Sequence, residues 1–144
     1  MKEDLNPDQG EASVTFITDT CRFILIKRNI RTGDPWSGQM ALPGGYRKKG
    51  ESSSDAARRE TYEEVGVRLN ELYYIGMYES KAKDIEVKAF ISEISPSVDP
   101  VAGDEVSEAF WVPISDLVPD SDSYLYREYR IWGMTFRILK DILE

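Results

Sequence analysis

The run Phe23-Ile24-Leu25-Ile26 constrains the fold more than any other stretch of this chain. Four apolar residues in succession, mostly β-branched or aromatic, make a strand that must be covered on both faces. A sheet built around such a strand needs layers on either side. Ser13 to Thr18, Leu72 to Tyr78 and Glu108 to Val112 also read as strands, and Arg22 to Lys27 contains the central run. In Ile85 to Ile94, residues Ile85, Val87, Ala89 and Ile91 alternate with Glu86, Lys88, Phe90 and Ser92, the period of a half-buried strand. Residues 52–65 read as a helix, with Ser52, Ser53 and Ser54 as N-cap candidates and Gly66 as C-cap. Pro113 opens a short helix through Leu117. Ile131, Met134, Ile138, Ile142 and Leu143 fall mostly at helical spacing and predict a C-terminal helix on the sheet. The expected class is α/β, a mixed sheet between helices. The 144 residues make one domain, expected over 11–144 after a polar leader, 1–10.

Two scarce residue types narrow the chemistry. The chain has no histidine, which removes Ser-His-Asp and Cys-His catalysis and imidazole metal sites. Its single cysteine, Cys21, allows neither an internal disulfide nor a thiolate zinc cluster, and reads as a packing residue ahead of the central strand. The net charge of −8 argues against sequence-independent nucleic-acid binding and is compatible with carboxylates that hold hard divalent cations. The longest apolar runs are four residues, against roughly 20 for a membrane span. No membrane association is expected, and a cytoplasmic location is inferred.

The helix over 52–65 carries the chemistry. Measured from Ala56 at about 100° per residue, Glu60, Glu63 and Glu64 fall near 40°, 340° and 80°. The three carboxylates therefore sit beside the apolar stripe, with Glu64 closest to the buried face. Crowding like charges on one edge is unfavourable unless cations neutralise them. Mg²⁺ takes such oxygen ligands. Gly44 and Gly45 let the backbone of the preceding loop approach closely. A solvated acidic face with Arg58 and Arg59 as partners is the alternative reading.

The segment from Gly45 to Val67 resembles the Nudix box, G-x5-E-x7-R-E-U-x-E-E-x-G-U, where U is a bulky aliphatic residue. Gly45, Glu51, Arg59, Glu60, Glu63, Glu64 and Gly66 occupy all seven fixed positions, and Val67 the last U. Thr61 departs at the first U position, where its methyl group can pack. The resemblance implies an α/β/α sandwich around a mixed sheet and hydrolysis of a nucleoside diphosphate linked to another moiety, with Mg²⁺ or Mn²⁺. It implies Glu60, Glu63 and Glu64 as metal ligands and the Gly44 carbonyl as a backbone ligand. It gives Arg59 and Glu51 a bridging role that holds the loop on the helix, with Glu51 also able to reach a second metal. A later carboxylate often joins the metal in this family. Asp104, Glu105 and Glu108 are the candidates, with Glu105 favoured. The partner is then a small-molecule nucleotide diphosphate, and a homodimer is common in the family. A catalytically inactive nucleotide-sensing module of the same fold is the alternative.

Further patches resemble the coenzyme A pyrophosphatase branch: Ile24 to Arg28, Ser37 to Gly45, Glu105 to Glu108 before Phe110-Trp111-Val112-Pro113, and Ile131-Trp132-Gly133-Met134-Thr135. Trp36 stands where that branch has histidine, and Leu42 where it has phenylalanine. ADP-ribose, dinucleoside polyphosphates and damaged nucleotides stay open beside coenzyme A. Substrate-binding candidates are Gly45, Arg28, which could pair with a phosphate or be a strand-end cation, and Trp36, which could stack on a base or cover the core. Tyr124, Tyr126 and Tyr129, with Arg127 and Arg130, read as packing residues, with a pocket lining as the alternative.

Overall fold

The computed structural model describes residues 11–33, 37–80 and 84–144. The polar leader and Trp36 lie outside the described residues. A seven-stranded sheet comprises β1 (Ala12–Thr18), β2 (Arg22–Arg28), β3 (Met40–Ala41), β4 (Gly44–Tyr46), β5 (Tyr73–Ser80), β6 (Ile85–Glu93) and β7 (Val106–Pro113). Helix α1 (Ser53–Val65) lies between β4 and β5 in the chain. A 3-10 turn, Ile114–Asp116, leads into a second sheet of β8 (Val118–Asp120), β9 (Ser123–Tyr126) and β10 (Tyr129–Ile131), and α2 (Gly133–Leu143) follows. The large sheet is mixed: β1 runs parallel to β6, while the remaining pairs are antiparallel.

The central run behaves as its composition requires. Phe23, Ile24, Leu25 and Ile26 are all fully buried. Phe23 and Leu25 join the cluster that includes Ile138 and Leu139 of α2. Ile24 and Ile26 join Val65 of α1 and Val67 on the other face. One strand thus nails both layers to the sheet.

The joint between β1 and β2 shapes the site. These strands pair at Thr18–Phe23, beside their connecting turn. Further along, β1 pairs with β4 and β2 with β3. The segment Met40 to Tyr46 therefore fills the gap between two splayed strands, and the Thr15 amide donates to the Pro43 carbonyl at 3.0 Å. Gly44 is obligatory here, because a Cβ would stand 2.0 Å from the Ser13 carbonyl oxygen.

Two expectations need correction. The strand β6 is not half-buried: Lys88 is 4% exposed and Ser92 fully buried. The face read as polar is on the side of the sheet that carries α1: Lys88 pairs with Ser13, whose hydroxyl donates to the Ser53 carbonyl. Lys88 and Arg47 reach the same oxygen of Glu11, at 3.0 and 2.8 Å, so one buried carboxylate is shared by two cations that burial alone would exclude and offsets one of their two charges. Cys21 is exposed and occupies the β1–β2 turn, not a packed position.

Candidate active site

Helix α1 is set by its caps. The Ser52 hydroxyl accepts from the Asp55 amide, and Gly66, at φ 70°, closes the helix with its N–H on the Tyr62 carbonyl. Between these ends, the acidic edge turns toward β4. Glu64 is buried, and its carboxylate accepts the Gly44 N–H at 2.8 Å. Glu60 is mostly buried and lies against Gly45. Glu63 is the exposed member and is engaged by Arg59 at 3.2 Å. This gradient follows the wheel: the residue nearest the apolar stripe is the most buried. Thr61 is fully buried in the same helix, as the aliphatic position it occupies requires.

Arg59 ties the loop to the helix. Its Nε and Nη2 donate to the two oxygens of Glu51 at 2.8 and 3.0 Å, and Nη2 also donates to the Tyr46 carbonyl. That bidentate contact holds the Glu51 carboxyl below its ordinary range, against desolvation, and raises Arg59 further above its own.

Burial pushes the Glu64 carboxyl up to about 8, opposed by the Gly44 N–H and reinforced by the charge of Glu60; Arg28 pulls it down and Glu105 pushes it up. Burial also raises Glu60, against the pull of Arg59 and with Glu63 and Glu105 adding to the rise. Burial thus disfavours the charged form of both carboxylates in the absence of a counter-ion. A hard divalent cation would favour their charged form, and carboxylate oxygens are the donors such a cation takes. Glu63 is turned to Arg59, however, and among the described residues no three acidic side chains converge as a ready cation cage.

The loop between β6 and β7 completes the rim. Val101 and Gly103 donate their amides to the carbonyls of Val65 and Glu64, satisfying the end of α1. The Trp111 indole N–H anchors the same loop at Val98. Gly103 was not singled out in the sequence. Its signal is a close approach: a Cβ there would stand 2.2 Å from the Glu63 carbonyl oxygen. This docking brings Glu105 within electrostatic reach of Glu60 and Glu64, while its carboxylate pairs with Arg31 at 2.8 Å. The carbonyl of Asp104 accepts from Asn29, and Glu108 is taken by the Tyr129 hydroxyl.

A cavity of about 450 Å³ opens beside these residues, a size suited to a small-molecule ligand. Arg28, Gly44 and Gly45 line it, together with Trp132, Met134 and Thr135 from the start of α2. The separated patches Ile24 to Arg28, Ser37 to Gly45 and Ile131 to Thr135 thus meet at one place. Ser80 and Arg137 also line the cavity and were not read as site residues. Tyr124 and Tyr126 pack in the core instead, Tyr124 against Phe136 and Tyr126 against Phe110. Among the described residues no helix is long and apolar enough to cross a membrane.

Comparison with known proteins agrees with this arrangement. Residues 8–132 match the family model described as the NUDIX domain. The chain is 34% identical to an uncharacterised Schizosaccharomyces pombe protein, C14C4.10c, over 71% of its own length and 35% of that protein's. It is 27% identical to Nudix hydrolase 3 of Caenorhabditis elegans, over 83% of this chain and 65% of the relative. The chain therefore spans about one third to two thirds of these relatives. Its fold is shared with the NUDIX domain of Shewanella oneidensis NrtR, solved in complex with ADP ribose, at TM-score 0.72 and 16% identity, over 94% of this chain and 86% of that one. With the family model covering most of its length, the chain belongs to the Nudix family.

Proposed function

We propose that this domain hydrolyses a diphosphate that links a nucleoside to a second moiety, with Mg²⁺ or Mn²⁺ as cofactor. The observation that supports this most is the placement of Glu60 and Glu64 against Gly45 and Gly44, glycines that also line the cavity. Glu60 and Glu64 would hold the cation, with Glu63, Glu105 and the Gly44 carbonyl as further ligands. The bound cation would neutralise phosphate charge and acidify a water for attack on phosphorus. The chain's own side chains do the positioning. Arg28 lines the cavity and pairs with a phosphate oxygen. The bare backbone at Gly45 gives the carboxylate edge access to the ligand. Arg59 and Glu51 hold loop and helix in register. The lining of Val14, Ala41, Leu42 and Met134 takes the uncharged part of the ligand out of water. Residues 11–144 would form this single domain, acting in the cytoplasm.

Incubation with coenzyme A, ADP-ribose, diadenosine polyphosphates and nucleoside triphosphates, with and without Mg²⁺, tests the reading by mass spectrometry of the products. Loss of a substrate only with metal, with both halves of the diphosphate recovered, is expected. The engagement of Glu63 by Arg59 favours one alternative, a nucleotide-sensing module, which would bind a nucleotide in this assay and cleave none with either metal.

A further inference from the structure

The cavity has a second cationic end. Its floor crosses four adjacent strands, from Gly45 on β4 through Ala12 on β1 and Val87 on β6 to Ser80 on β5. Three strand spacings separate the ends, about 14 Å. The carboxylates and Arg28 belong to the first end. At the other stands Arg137, in the second turn of α2, with its Nη2 donating to the Glu79 carbonyl at 2.8 Å. That bond fixes the guanidinium over the end of β5 and uses one N–H of a fork that carries five. Asp141, one turn further along α2, is taken by the Tyr78 hydroxyl at 2.7 Å. Among the described residues no carboxylate lies within ion-pair distance of Arg137. Ser80, 4% exposed, adds a hydroxyl to the same end.

We infer that Arg137 and Ser80 form a second anion subsite, which receives a phosphomonoester carried by the nucleoside part of the ligand. The middle of the cavity is apolar, so it accepts the nucleoside and no charge. A fixed guanidinium with no carboxylate partner among the described residues, in a chain of net charge −8, is placed to read an anionic group by a charge-assisted contact. The span of about 14 Å between the carboxylate edge and the guanidinium over β5 leaves room for one nucleoside. The inference rests on reading this cavity as the substrate site.

Matched ligand pairs that differ by one phosphomonoester test it: coenzyme A against dephospho-coenzyme A, and NADPH against NADH. Binding is measured calorimetrically with Ca²⁺ present to screen the diphosphate, and mass spectrometry verifies that each ligand stays intact. At least one phosphorylated member should bind the parent protein roughly tenfold more tightly than its partner, the scale of one charge-assisted hydrogen bond. Arg137→Gln should erase that ratio without weakening the unphosphorylated member, and Arg137→Lys should restore part of it. Equal affinities within both pairs, absence of binding by all four ligands, or a ratio unchanged in Arg137→Gln would overturn the inference. An Arg137-dependent ratio with no metal-dependent cleavage would uphold the subsite and reject the hydrolase reading.

Discussion

A Cβ atom on Gly45 would stand 2.0 Å from Oε2 of Glu60. The glycine and the glutamate therefore share one position in space, and the carboxylate lies where any other side chain would begin. The neighbouring glycine differs in kind: a Cβ on Gly44 would meet backbone, the Ser13 carbonyl oxygen at 2.0 Å and the Val14 Cα at 2.7 Å.

Two alanine substitutions should accordingly separate. In Gly45→Ala, the far end of a flexible side chain can move, so stability should change by no more than about 1 kcal/mol. Glu60 is displaced, and metal-dependent turnover should fall at least tenfold. In Gly44→Ala the clash is with rigid backbone, and a loss of about 3 kcal/mol or more is expected. Urea denaturation and a turnover assay on both variants check this. Equal stability losses would remove the distinction.

The Arg59–Glu51 bridge predicts a pH dependence. Its two side chains are 22% and 16% exposed, so solvent screens them little. Arg59→Ala should cost about 1–3 kcal/mol and lower activity as the loop loosens. Because Arg59 holds the Glu51 carboxyl below its unfolded value near 4.5, the folded state binds that proton less readily than the unfolded chain. The contribution is complete above that value and is lost as pH falls through the lower, folded one. Acid titration of stability should be shallower in Glu51→Gln than in the parent. Superimposable titrations, or unchanged melting in Arg59→Ala, would contradict the bridge.

The buried triad gives a prediction away from the site. Glu11→Gln leaves Lys88 and Arg47 facing each other behind α1 without their shared carboxylate. A loss of about 3–5 kcal/mol is expected, the scale for one partner removed from a buried ion pair. Chemical denaturation measures it, and a loss below about 1 kcal/mol would mean that water reaches the triad.

Much of this was legible in the sequence because it is local. Phe23 to Ile26 declares a strand covered twice, Ser52 and Gly66 bracket a helix, and the wheel ranks Glu64, Glu60 and Glu63 by burial. The rest depends on contacts distant in the chain. Strands β3 and β4 are two and three residues long and exist because β1 and β2 splay apart. Lys88 breaks the alternation rule only because Glu11, 77 positions earlier, meets it. Gly103 looks like any loop glycine until α1 lies beneath it. Arg137 sits on the exposed side of an amphipathic helix, and only the end of β5 beside it makes it part of the cavity wall.

The proposed metal site depends most on Glu64. Glu64→Gln keeps the shape of the side chain and an oxygen for the Gly44 N–H, and removes the ability to present a charged carboxylate to a cation. Turnover of a nucleotide diphosphate by this variant and by the parent, at matched Mg²⁺ and with folding verified by thermal melting, tests the claim most directly. A folded variant with activity reduced at least a hundredfold is the predicted result; a folded variant that turns over at the parental rate would contradict it.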